Sequence, residues 1–183
     1  MIAYKGLKKD LTCRGYQFSL GEPNTTKQAN CAENGFHCAE NPLDCLCYYS
    51  DWRQSVYYLV KAEGDLDEDS VDSKISCTRI TLLKELPLQT LLLHGLAYMV
   101  RHPRRQWCSV VKKEEGRCWN GYVVVRGKHP RASGSMGDIL ALAKEEPGSQ
   151  QIQEVALYVV DGEKYKPYTW YGVDGKIVER HAA

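Results

Sequence analysis

The sequence predicts an α+β fold, a mostly antiparallel sheet with two helices packed on it. Three observations lead there. Short runs of strand formers alternate with turn residues up to Leu82 and again after Tyr122. Two segments, one after Asn41-Pro42 and one after Pro87, carry apolar side chains at helical spacing. Asp161-Gly162 and Asp174-Gly175, each flanked by strand formers, are hairpin signals.

Ile2 to Lys5 and Tyr16 to Ser19 have strand composition, punctuated by Gly15 and the Gly21-Glu22-Pro23-Asn24 loop. Asn41-Pro42 starts the first helix, because Asn caps free N–H groups and Pro suits the first helical position. It runs through Leu43, Leu46 and Cys47 to about Tyr49. Val56 to Val60 and Lys74 to Leu82 read as strands. Between them Glu63, Asp65, Asp67, Glu68, Asp69 and Asp72, with no base among them, predict a solvated loop over 63–72. Pro87 opens the second helix, which ends near His102-Pro103. Leu88, Leu91, Leu92, Leu96 and Met99 give it one core face. Tyr122 to Arg126, Ile139 to Ala143 and Val155 to Val160 are the remaining predicted strands.

The chain has 183 residues, a size for one domain or two small lobes. The expected division is an α+β lobe over 1–86, then a helix, a basic segment and antiparallel strands over 87–183, in one compact unit. Hydrophobic residues at 43% and charged residues at 26% exclude general disorder. Leu86 to Val100, the richest apolar run, is broken by Pro87, Gln89, Thr90 and His94, so no membrane span is expected. With no apolar signal region at the N-terminus, a soluble cytoplasmic protein is expected.

Eight cysteines are present, too sparse for a disulfide scaffold, and reduced thiols are expected. Cys31, His37, Cys38, Cys45 and Cys47 lie close in sequence. Their spacing misses the pairs separated by about two to four residues that structural zinc sites use. Neither a metal nor a cofactor is expected.

Basic residues concentrate between Met99 and Arg131. Arg101, Arg104, Arg105, Lys112, Lys113, Arg117, Arg126, Lys128 and Arg131 face only two acids there, Glu114 and Glu115, on a chain whose total charge is +1. Such a local excess attracts phosphate backbones. Arginine predominates, which favours bidentate phosphate contact. Trp107, Trp119 and Tyr122 interleave with these bases and can stack on unpaired nucleobases.

Three stretches carry a family resemblance. They are Ala3-Tyr4-Lys5-Gly6 with Cys13-Arg14-Gly15-Tyr16-Gln17-Phe18; Gly35-Phe36-His37-Cys38-Ala39-Glu40-Asn41-Pro42-Leu43-Asp44 with Tyr48-Tyr49; and a tail. The tail comprises Val160-Asp161-Gly162-Glu163-Lys164, Lys166-Pro167, Thr169-Trp170-Tyr171 and Asp174-Gly175-Lys176-Ile177-Val178. Together they resemble an uncharacterised family of phages, prophages and mobile elements of gut bacteria. The resemblance implies a mobile-element setting, where small proteins block host defence. The expected function is a non-enzymatic, anti-CRISPR-like counter-defence inhibitor that engages nucleic acid, a CRISPR effector nuclease or another host defence protein. Arg101, Arg104 and Arg105 are expected to touch phosphate first.

A rival reading is catalytic. Tyr4-Lys5-Gly6, then Gly35-Phe36-His37 with Tyr48-Tyr49, then Glu85 distantly resemble the motif order of ADP-ribosyltransferases, which use NAD. That resemblance implies a cofactor grip at position 5, an aromatic stack and a late carboxylate that supports a developing cation. Lys5 stands where the family has His or Arg, and lysine lacks their planar geometry. A third expectation is a structural accessory protein of a mobile element.

Overall fold

The computed structural model describes residues 1–31, 33–68 and 72–179. It corrects the predicted fold class. The protein is predominantly β, with 49% strand against 11% helix, rather than an α+β sheet carrying helices. The first helix shrinks to α1 (Asp44–Tyr48), while α2 spans Leu88–Arg101. Two compact units, Met1–Leu91 and Leu92–Ala183, divide inside α2.

The N-terminal unit is an antiparallel sheet that closes on itself. Its strands are β1 (Ile2–Lys8), β4 (Pro23–Thr25), β5 (Phe36–Ala39), β6 (Ser55–Glu68) and β7 (Lys74–Leu86). β6 pairs with β1 and β7, β7 also with β4 and β5, and β5 with β1. A small hairpin of β2 (Thr12–Cys13) and β3 (Tyr16–Gln17) stands beside it. Alternation along the strands turns Ala3, Leu7, Phe36, Cys38, Val60, Ala62, Ile75 and Cys77 into one buried cluster.

The acidic run is the second correction. Glu63 to Glu68 continue β6, with Glu63 opposite Arg79 and Asp67 opposite Ser76. Ladder hydrogen bonds use only the backbone, so acids that stay in water do not prevent a strand. The register slips at Gly64, where φ is +79° and the Asp65 amide donates to Thr78 Oγ1 at 2.9 Å. Asp69 lies outside the described residues.

The C-terminal unit is a mixed sheet, which corrects the antiparallel expectation there. Its strands are β8 (Val111–Arg117), β9 (Tyr122–Ser133), β10 (Ile139–Glu145), β11 (Ile152–Val159) and β12 (Tyr171–Gly172). β9 runs parallel to both β8 and β10, whereas β10–β11 and β9–β12 are antiparallel. β8 breaks register at Glu114, whose φ is +64°. The Glu114 carboxylate accepts the amides of Lys128 and His129 at 3.0 Å each and fills the space a side chain at Gly127 would need. Asp174-Gly175 closes a tight turn with a bridge between Tyr171 and Ile177. Asp161-Gly162 also turns, through Gly162 N–H to Tyr165 C=O at 3.0 Å, but among the described residues no following strand pairs with β11 across it.

Candidate functional site

The basic segment ranges from one buried arginine to several exposed cations. Arg126 is 1% exposed on β9. Its Nε donates to Glu145 Oε1 at 2.8 Å, and its Nη2 donates to the carbonyls of Pro103 and Gln150 at 2.7 and 2.9 Å. Its guanidinium lies 4.8 Å over the half-buried Trp107 ring. Arg131 gives Glu115 two hydrogen bonds, at 2.7 and 3.1 Å. Arg101, Arg104, Arg105, Lys112, Lys113, Arg117 and Lys128 are exposed.

Around Arg117 the surface is aromatic as well as basic. Trp119 is 89% exposed. Asn120 and Gly121, both at positive φ, form the turn that bridges Trp119 to Tyr122. This left-handed pair suits a two-residue hairpin turn. Tyr168, 78% exposed, is also held at positive φ, and its amide donates to Gly134 C=O at 2.7 Å. The Cys118 amide donates to the adjacent Ser133 carbonyl, so Trp119 and Tyr168 flank one strand end. The Arg117 guanidinium sits 5.4 Å over the Trp170 ring beside them.

A cavity of about 410 Å³ opens in the N-terminal unit. Lys5, Arg14, His37, Lys74, Tyr48 and Tyr49 line it together with Tyr4, Gly6, Cys13, Cys38, Ala39 and Cys45. β1 and β5 share one register pair, Tyr4 with Ala39. Beyond it Lys5 Nζ donates to the His37 carbonyl at 2.6 Å. Gly6 admits the Tyr49 ring, because a Cβ there would lie 2.5 Å from Tyr49 Cδ2. Asn41 Oδ1 caps the Leu43 amide, and the buried Asp44 accepts from Ser73, which fixes α1 and the cavity wall it supplies.

The transferase-like residues Lys5, His37, Tyr48 and Tyr49 thus meet around one cavity. Glu85 does not line it; on β7 it accepts the Tyr58 hydroxyl at 3.1 Å. Burial, then the charges of Arg14, Lys5 and Lys74, push His37 down to about 4, so its ring is neutral near pH 7. Burial pushes the Cys45 thiol up to about 12 and, followed by a hydrogen bond with Cys13, raises the Tyr49 phenol. None of the eight cysteines forms a disulfide. A raised thiol is a weak nucleophile at neutral pH. Sequence reasoning missed Arg14 and Lys74 as partners of Lys5. The signal available was Arg14-Gly15 between two strand formers.

No helix among the described residues is long and apolar enough to cross a membrane. No curated protein and no solved structure shows a significant match to the chain. One family model matches residues 1–94, which include every described residue lining the cavity, and the chain accordingly belongs to the family described as a domain of unknown function, DUF7666.

Proposed function

We propose that this is a non-enzymatic binding protein whose C-terminal unit contacts single-stranded nucleic acid. The carrying observation is Trp119, an 89% exposed indole held out by a left-handed two-residue turn next to Arg117. Exposing so large an apolar ring is unfavourable in water, whereas a base stacked on it contributes about 1–3 kcal/mol. Tyr168 offers a second ring, and Arg101, Arg104, Arg105, Lys112, Lys113 and Lys128 supply exposed positive charge for phosphates. In a mobile element this contact would serve counter-defence in the host cytoplasm, against a nuclease that handles nucleic acid, a CRISPR effector being the concrete partner.

The test is tryptophan fluorescence titration with single-stranded and duplex DNA over a series of salt concentrations. Single strands should bind more tightly, and log affinity should fall with log salt by about 0.7 per phosphate neutralised. Trp119→Ala should weaken single-strand binding roughly tenfold or more while barely changing the melt. Changing Arg101, Arg104 and Arg105 together to Glu should weaken all sequences alike and flatten the salt slope. Equal binding by wild type and both variants, or no binding at low salt, sinks the reading. Co-purification from lysate with and without nuclease treatment then separates bare nucleic acid from a bound effector.

A further inference from the structure

We propose that the N-terminal cavity binds a small phosphorylated ligand that carries a flat ring, in the size class of a nucleoside diphosphate. Lys5, Arg14 and Lys74 hold its phosphates.

Lys5 is the first ground. It is 3% exposed and shares the core face of β1 with Ala3 and Leu7. Its Nζ meets the His37 carbonyl at 2.6 Å, Cys13 Sγ at 4.0 Å and the Phe18 ring at 4.8 Å. None of these carries a negative charge. No carboxylate among the described residues forms an ion pair with it. A buried ammonium without a counter-charge is unfavourable, and an incoming anion would relieve it.

Arg14 is an independent ground. Arg14 and Gly15 are the central residues of the β2–β3 hairpin, at φ +48° and +80°. That turn favours Asn-Gly, because a longer L side chain is strained at the first position. The chain therefore holds an arginine where asparagine would fit better, and that arginine lines the cavity. Both features trade stability for positive charge in one place.

The rest of the wall fits the same ligand. No acid among the described residues lines the cavity. Nearby Asp72 is engaged outside the lining, where it accepts the Tyr48 hydroxyl and the Lys74 amide. A volume of about 410 Å³ exceeds the need of one phosphate and lies within the range of small-molecule sites, about 300–1,000 Å³. Tyr4, Tyr48 and Tyr49 line the cavity and supply aromatic surface for a planar group. The site belongs to the unit that carries the family match, not to the nucleic-acid surface.

Isothermal titration of the full chain with ADP, adenosine and inorganic phosphate tests this. ADP should bind at one site per chain, with adenosine and inorganic phosphate each weaker by about tenfold or more. Arg14→Asn should lower ADP affinity about tenfold while its melting temperature holds or rises, because asparagine suits the turn. Lys5→Met should abolish ADP binding and keep a cooperative melt. Neither change should alter binding of single-stranded DNA, which separates this site from the C-terminal one. No ADP binding, or equal ADP binding by wild type and both variants, overturns the site. Phosphate binding as tightly as ADP overturns the role of the ring.

Discussion

Among the described residues each unit buries one cation, Lys5 and Arg126, and the two are treated in opposite ways. Arg126 in the C-terminal unit meets a carboxylate, two backbone carbonyls and an indole face. Lys5 in the N-terminal unit meets a carbonyl, a thiol and a phenyl ring, all neutral. A guanidinium with its charge and donors satisfied inside the fold is a structural clamp. An ammonium left with uncompensated charge beside a cavity still has an electrostatic reason to attract an anion. The difference teaches that burial alone does not mark a functional cation; the state of its counter-charge does.

The sharpest way to break that comparison is to remove the clamp. Arg126→Met strands Glu145, 12% exposed at its side chain, along with two carbonyls. Removing one partner of a buried pair costs about 3–5 kcal/mol. Denaturant unfolding should show that loss. Arg126→Met combined with Glu145→Met should recover part of it, because no charge is then left unpaired. A single variant as stable as wild type would mean that Arg126 is not a clamp.

A smaller effect is expected at Gly6, where the N-terminal unit seats Tyr49. In Gly6→Ala the new methyl would lie 2.5 and 2.8 Å from Tyr49 Cδ2 and Cγ. Overpacking of this kind costs about 1–3 kcal/mol, and the displaced ring should disturb the cavity as well. Comparing melts with ADP titrations separates the two consequences. Lys5→Met should cost less than either change, because it replaces an unpaired buried charge with an apolar chain of similar length. Its main loss is the donor to the His37 carbonyl, about 1 kcal/mol. If Lys5→Met destabilised the protein as much as Arg126→Met, the contrast between the two cations would collapse.

These cations were unequally legible in the sequence. The positions of β1, β6, β7 and α2 follow from strand composition, Pro87 and the leucine spacing. The motif Asn41-Pro42 does start a helix, but the α-helical part lasts only from Asp44 to Tyr48. The extension of β6 through Glu63–Glu68 was hidden, because charged side chains mask a ladder built by the backbone. β8 was hidden for a similar reason: Val111-Lys112-Lys113-Glu114-Glu115 has no apolar alternation. Asn120-Gly121 was a readable turn signal within the basic segment, yet charge drew the reading there instead. Arg126 and Arg117 look alike in sequence. Only the approach of β10 and the Pro103 segment makes one a clamp and leaves the other on the surface. The cavity depends on β1, β5, α1 and the β2–β3 turn meeting, a long-range result that spacing does not encode.

The smallest expected effect is on pH dependence, and it belongs to the uncompensated side of the comparison. His37 faces Lys5 from β1, Arg14 from the β2–β3 turn and Lys74 from the start of β7. Burial first, then those charges, hold its imidazole at about 4, against about 6.5 in an unfolded chain. Between these values the unfolded state takes up a proton that the folded state refuses. Stability therefore falls as pH drops from about 6.5 to about 4, and this group adds no further loss below that. His37 is only half-buried, so solvent screening keeps the effect modest. Melts of wild type and His37→Gln between about pH 7.5 and 4.5 should diverge on acidification, the variant losing less. ADP in the cavity would offset the same positive charges and raise the His37 value, so its affinity should tighten as pH falls through this window. Parallel melting curves would remove His37 from the electrostatic account. An ADP affinity that stayed flat with pH while the melts diverged would overturn the placement of the phosphates at Lys5, Arg14 and Lys74, since all three cations face the imidazole.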